Sequence, residues 1–157
     1  MKKLDNVDRR ILAILQEDAS LAVSDVAARV GLSQTPCWRR IQRLRADGVI
    51  SATVALVKPE AIGLGLTVFV AIEAGDHSPE WLEHFTSAVV ARSEVLEVHR
   101  MAGDIDYLLR VAVPDMSAFD SFYRELTQAV PLKNVSSHFA MERVKSTTAY
   151  PVTITAG

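Results

Sequence analysis

Apolar residues recur at helical spacing through the first fifty positions. Leu4, Val7, Ile11, Ile14 and Leu15 form one stripe, which predicts a helix running to about Asp18. Asp5 stands where an N-cap belongs, and Asp8 falls in the first turn, near the positive end of the helix dipole. Ser24 is placed to cap a short second helix carrying Val26, Ala27 and Val30. Gly31 ends it, because glycine takes the left-handed conformation of helix C-caps at little cost. A third helix starts at Ser33, tolerates Pro36 in its first turn, and carries Cys37, Ile41 and Leu44 on its inward stripe as far as Gly48.

From Ile50 the period changes to two, in Val54 and Leu56, until Pro59, Gly63 and Gly65 interrupt it. This predicts a strand followed by a linker. Beyond it the pattern gives a strand at 67–73, then a helix capped by Ser78 with Pro79 in its first turn and Leu82, Phe85 and Val89 inward. A strand at 95–101 follows, then a turn at Gly103-Asp104-Ile105-Asp106 and a strand at 107–113. Asp115 caps a helix with Phe119, Phe122 and Leu126 inward, and a last strand covers about 135–142. The order β-α-β-β-α-β is the ferredoxin-like arrangement, four antiparallel strands with both helices on one face. The alternating tail from Val152 to Thr155 adds a short edge strand. The fold class is α+β: an N-terminal winged helix-turn-helix domain (1–50), a strand and linker (51–65), and a ferredoxin-like domain (66–157).

Two helices cover only one face of such a sheet. Both registers of the strands are apolar in places, Val68, Val70 and Ile72 on one side against Phe69 and Ala71 on the other, so the uncovered face calls for a partner. A homodimer is expected.

Composition adds class and compartment. The chain has 157 residues, 49% hydrophobic and 23% charged, which is the balance of a globular protein. The single cysteine, Cys37, forms no internal bridge, and its place on an inward stripe makes it a core residue. The start MKKLDNVDRR has no apolar signal segment, and the longest apolar stretch, 64–72, is about half of what a bilayer requires. The cytoplasm is the expected location, with no membrane partner.

The net charge of −2 conceals a division. Residues 1–50 hold 9 Lys and Arg against 6 Asp and Glu, and residues 51–157 hold 8 against 13. The basic piece is a candidate for a polyanion. Its third helix, SQTPCWRRIQRLR, carries Arg39, Arg40, Arg43 and Arg45 and no acid. Arg39 and Arg43, four residues apart, share a helical face and can meet one run of phosphates. Ser33, Gln34 and Thr35 at its start suit base edges or phosphates. Trp38 packs against the first helix or the wing, or touches the DNA backbone. A basic helix alone is often only a solvated face; following two capped helices and a glycine turn, it points to double-stranded DNA.

The second domain is poorly supplied for catalysis. His77, His84, His99 and His138 show no metal-ligand spacing, no cysteine pair supports a metal, and no nucleophile elbow, phosphate loop or dinucleotide motif occurs. An enzyme is not expected, and no cofactor. His99 and His138 read as sheet-surface residues, while His77 and Trp81 receive no role. The turn Gly103-Asp104-Ile105-Asp106-Tyr107 is good turn chemistry in itself, yet two carboxylates beside turn N–H groups also make a place for a zwitterion such as a small amino acid.

The order of elements, the stretch GLSQTPCWRRIQRLRADGVI, the linker KPEAIGLGL and the segment MAGDIDYLLRV together resemble the leucine-responsive, Lrp/AsnC, family of bacterial transcription regulators, over nearly the whole chain. The resemblance implies that 66–157 is the family's RAM (ACT-like) domain. It places Ser33, Gln34, Thr35, Trp38, Arg39, Arg40 and Arg43 on the DNA side of the recognition helix. Met101, Gly103, Asp104, Asp106 and Tyr107 would border an amino-acid effector pocket. Homodimers through RAM sheets, often assembled further into octamers, come with the family. The combination of TPCWRR, HSPEW and FAMERVKSTT is most similar to a subgroup associated with sulfur amino acids, which makes cysteine one candidate effector. Two rivals stand beside the regulator: a DNA-organising protein without a ligand, and an enzyme built on the second domain.

Overall fold

The structure is a computed structural model, and it describes residues 4–152. The chain divides into two compact units. One holds the residues up to Ala55 and those from Val144 onward, the other Leu56–Arg143.

The first unit is three helices, α1 (Asn6–Glu17), α2 (Val23–Val30) and α3 (Gln34–Ala46). Asp5 caps α1 in a reciprocal box: its side chain accepts the Asp8 N–H at 2.8 Å, and the Asp8 carboxylate accepts the Asp5 N–H at 3.2 Å. Helix α2 departs from expectation. Its N-cap is Ala22 without a side-chain cap, so Ser24 lies inside the first turn. Gly31 ends α2 at φ 73°, and the Leu32 N–H closes back on the Ala27 carbonyl at 2.9 Å. Ser33 occupies the N-cap position of α3 with its hydroxyl unused as a cap. Ile11, Val26, Ala27, Val30, Cys37, Ile41 and Leu44 make the core. Burial there pushes the Cys37 thiol above its usual pKa, against a smaller opposing pull from Arg40.

The strand expected from Ile50 is not formed. Residues 51–58 carry no regular structure, so no strand follows α3 as a wing, and Val54 and Leu56 are 71% and 74% exposed. The alternation is present in the sequence, but an extended segment becomes a strand only when another backbone supplies its ladder. The tail also differs from the expected 66–157 boundary. In the first unit the Tyr150 N–H donates to the Gln16 side chain at 2.7 Å, and the Gln16 amide donates to the Tyr150 carbonyl at 3.2 Å. Most of the proposed tail strand, from Thr153 on, lies outside the described residues.

In the second unit a 3₁₀ turn (Pro59–Ile62) leads to β1 (Leu66–Ala74), α4 (Pro79–Val90), β2 (Val95–Arg100), β3 (Tyr107–Val113), α5 (Met116–Ala129) and β4 (Leu132–Phe139). The sheet is antiparallel, ordered β2-β3-β1-β4. The pairs Val68–Val111, Val70–Leu109 and Ile72–Tyr107 put one register under the helices, where it packs on Phe85, Val89, Phe119, Phe122 and Leu126. Ser78 and Asp115 cap α4 and α5 as expected, accepting the N–H of Trp81 and Ala118. One inward position is corrected. Leu82 is exposed and Trp81 takes its place, stacked on Phe85 at 5.0 Å with its indole N–H donating to the Pro131 carbonyl at 2.8 Å. Both residues fit an inward stripe by spacing; the larger ring with a carbonyl in reach buries more apolar surface and leaves no donor orphaned.

Candidate functional site

Helix α3 buries Cys37, Ile41 and Leu44 and turns Thr35, Trp38, Arg39 and Arg45 outward, with Gln42 partly exposed between them. At 100° per residue these five fall within one strip of about 120° that adjoins the core stripe at Arg45 and turns away from it at Arg39. Ser33 and Gln34 are exposed at its start. Trp38 is 50% exposed, so it does not pack away beneath the first helix.

Arg40 and Arg43 behave otherwise. The Arg40 guanidinium donates to Asp5 at 2.6 Å and to Asp8 at 2.7 Å, and that of Arg43 donates to Asp8 at 2.5 Å. Asp8 is 1% exposed, the one buried charged residue among those described. The expectation that both arginines share a free face with Arg39 is thereby corrected: the window from Ser33 to Arg45 holds no acid, but α1 brings one to it. Arginine bonds to Asp5 and Asp8 raise the Arg40 pKa further. Burial pushes the Asp5 carboxyl up, but the Asp8 N–H and Arg40 outweigh it and hold it below its usual range. Buried as it is, the Asp8 carboxylate depends on these donors, and losing both arginines would cost about 3–5 kcal/mol.

The second candidate is the β2–β3 connection. The Met101 N–H donates to the Asp106 carbonyl at 2.8 Å, closing the hairpin, and the Asp106 N–H donates to the Ile72 carbonyl at 2.9 Å. The Asp106 carboxylate accepts the Ala74 N–H at 2.8 Å, fastening the turn to β1, and its other oxygen lies 4.0 Å from exposed His77. Asp104 is exposed at the tip, with no polar partner among the described residues. Gly103 adopts φ 141°, where an L side chain is strained, although a Cβ would meet nothing within 4 Å. Tyr107 does not line the surface of the turn. Its ring is buried 4.5 Å from that of Phe85 and 6.1 Å from that of Trp81, supporting the turn from below. Met101 is partly exposed beside it.

The face of the sheet away from the helices carries Phe69, Leu108, Arg110, Glu97, His99 and His138 in register. Arg110 crosses to Glu97 at 2.5 and 2.9 Å, and His99 reaches the same carboxylate at 3.1 Å along its own strand. Hydrogen bonds from Arg110 and then His99 hold Glu97 below its usual pKa.

Sequence reasoning named Ser33, Gln34, Thr35, Trp38 and Arg39 on the exposed side of α3 and left out Gln42 and Arg45 as site residues. Spacing from Trp38 by four and seven would have found them. It read Asp8 only as a first-turn acid, and no local signal pairs it with residues 32 and 35 positions away. Among the described residues no three His, Cys, Asp or Glu side chains gather as a metal site, and no helix is long and apolar enough to cross a membrane.

Comparison with known proteins places both units. Residues 4–45 match the AsnC-type helix-turn-helix domain, and residues 67–150 match the Lrp/AsnC ligand binding domain. The chain is 49% identical over 150 residues to the DNA-binding transcriptional activator DecR of Escherichia coli (strain K12), spanning 95% of this chain and 99% of that one. The crystal structure of an AsnC family transcriptional regulator from Agrobacterium tumefaciens is similar with a TM-score of 0.91 at 53% identity, over 94% of this chain and 97% of that one. A transcriptional regulator from Neisseria meningitidis, solved as a complex with L-Met, also gives 0.91, at 33% identity over 95% and 97%. The chain therefore belongs to the Lrp/AsnC family of transcription regulators.

Proposed function

We propose that this chain binds double-stranded DNA through the exposed strip of α3 and senses a small amino acid at the turn from Met101 to Asp106. The observation that carries the reading is the strip itself. Ser33, Gln34 and Thr35 open the helix, and Trp38 and Arg39 follow on a side that nothing in the first unit covers. Short polar groups at a helix start suit base edges, and arginine suits phosphate.

At the turn the two carboxylates divide the work. Asp106 holds the backbone of β1, so Asp104, free at the tip, receives the ligand's ammonium, and turn N–H groups receive its carboxylate. The Neisseria relative's L-Met complex supports an amino acid in this family, and the chain's own motifs keep cysteine beside methionine as the first ligands to try.

The working unit is a homodimer through the open sheet face, with octamers as its further assembly. Phe69 and Leu108 on that face gain a cover, and exposed Val54, Leu56 and Val57 gain a backbone to pair with. A dimer also presents two copies of α3 to a two-fold operator.

The experiment is calorimetric titration of the full chain with the twenty amino acids, followed by DNA binding and sedimentation with and without whichever binds. Binding weakened at least tenfold by Asp104→Ala supports the site, and a ligand-dependent change in DNA affinity supports the sensor. DNA binding without response to any amino acid would favour the DNA-organising rival, and turnover of a bound amino acid would revive the enzyme.

A further inference from the structure

We propose that Asp8 is a positioning residue for DNA recognition: it withholds Arg40 and Arg43 from the phosphates and leaves Thr35, Trp38, Arg39, Gln42 and Arg45 to make the contacts of α3. The inference rests on α3 being the DNA-binding helix, and goes beyond it by dividing the four arginines into two pairs with different tasks.

Three observations carry it. Both Asp8 oxygens are engaged, one by Arg40 and the other by Arg43 and the Asp5 N–H. Water cannot take the place of those donors, since Asp8 is 1% exposed. An arginine leaving for a phosphate would strip a buried carboxylate of one donor that water cannot replace, so each is held more firmly than an exposed ion pair would hold it. Second, the charges balance: Asp5 and Asp8 stand against Arg40 and Arg43. The cluster presents no net positive charge to DNA, although linear counting puts two of the basic residues of the first fifty there. Third, Arg43 is within reach of Arg39's face by helical spacing, four residues on, and its guanidinium nonetheless turns back toward α1.

The consequence is functional. Each phosphate neutralised by a cation adds affinity for every sequence alike and steepens the salt dependence. Removing two arginines from that account lowers affinity for random DNA, while the bonds to α1 fix the angle at which Gln34, Thr35 and Gln42 approach base edges. Asp8 thus trades general affinity for discrimination.

The test measures binding of the full-length protein to a random-sequence DNA duplex as a function of salt. Arg39→Ala should flatten the log-log slope by about one unit, whereas Arg43→Ala should leave it unchanged. Asp8→Asn, which keeps the shape and removes the charge, should steepen the slope by about one to two units as the arginines come free. Asp8→Glu should lie closer to the parent. A residue important only for folding would lower affinity without steepening the slope, so the slope separates the two roles. Equal flattening by Arg39→Ala and Arg43→Ala, or a folded Asp8→Asn protein with the parent's slope, would overturn the proposal while leaving DNA binding by α3 intact. Should Asp8→Asn fail to fold, the pair of arginine variants decides by itself. A parent protein with no salt-dependent DNA binding would remove the reading of α3 and this proposal together.

Discussion

Each unit carries a cluster in which arginine meets carboxylate, and the two differ in what surrounds them. In the first, Asp8 lies beneath α3 at 1% exposure and takes both Arg40 and Arg43. In the second, Glu97 sits on an open sheet face with its side chain 45% exposed, bound to Arg110 and His99. The partners are chemically alike and the distances are similar. Water makes the difference. Exposed pairs of the second kind contribute about 0–1 kcal/mol because solvent screens them, whereas a carboxylate already out of water depends on its donors. Distances alone would rank the two clusters together; their burial separates a lock between two helices from a solvated pair on an open sheet face.

The largest expected effect follows from that contrast. Asp8→Ala removes the carboxylate that ties α3 to α1 together with the N3 half of the capping box, and it should cost about 2–4 kcal/mol in urea denaturation. A cost under about 1 kcal/mol would place the cluster in the exposed class and erase the comparison. Next comes Gly103→Val, which forces a β-branched residue to a positive φ and should cost about 1–3 kcal/mol, with a parallel loss of amino-acid binding. Parent stability in that variant would mean that the turn relaxes freely. Glu97→Ala should change the stability of the folded chain by no more than about 1 kcal/mol, while shifting the dimer's dissociation midpoint in sedimentation if the sheet face is the interface.

The smallest effect is on pH. Asp5 and Glu97 both have folded pKa values below their unfolded ones, Asp5 because the Asp8 N–H and Arg40 outweigh the opposing effect of its burial, Glu97 through bonds from Arg110 and His99. A depressed carboxylate contributes its stability above the unfolded pKa, about 4, and loses it as pH falls through the folded value. Acidification from about pH 5 to pH 3 should therefore destabilise the protein, and Glu97→Gln should be slightly less sensitive than the parent. Equal or greater acid sensitivity in Glu97→Gln would show that Glu97 is not held by its partners in solution.

What the sequence by itself determined is whatever a few neighbouring residues enforce. The Asp5, Ser78 and Asp115 caps, the Gly31 stop and the strand at Tyr107–Val113 were legible because each depends on hydrogen bonds or side-chain alternation within a turn or two of chain. The basic helix was legible too, as a run of residue types. Only the tertiary structure decided which of its arginines are free, because the acid that engages two of them lies on another helix. It also chose Trp81 over Leu82 through a carbonyl at Pro131, and gave Tyr107 to the core rather than to the surface of the turn. At residues 50–56 the alternation was read correctly and the strand still did not form, since a strand is a relation between two backbones and none among the described residues pairs with this segment. Patterns that one segment completes can be read along the chain; pairings between distant segments are fixed only when folding brings them together.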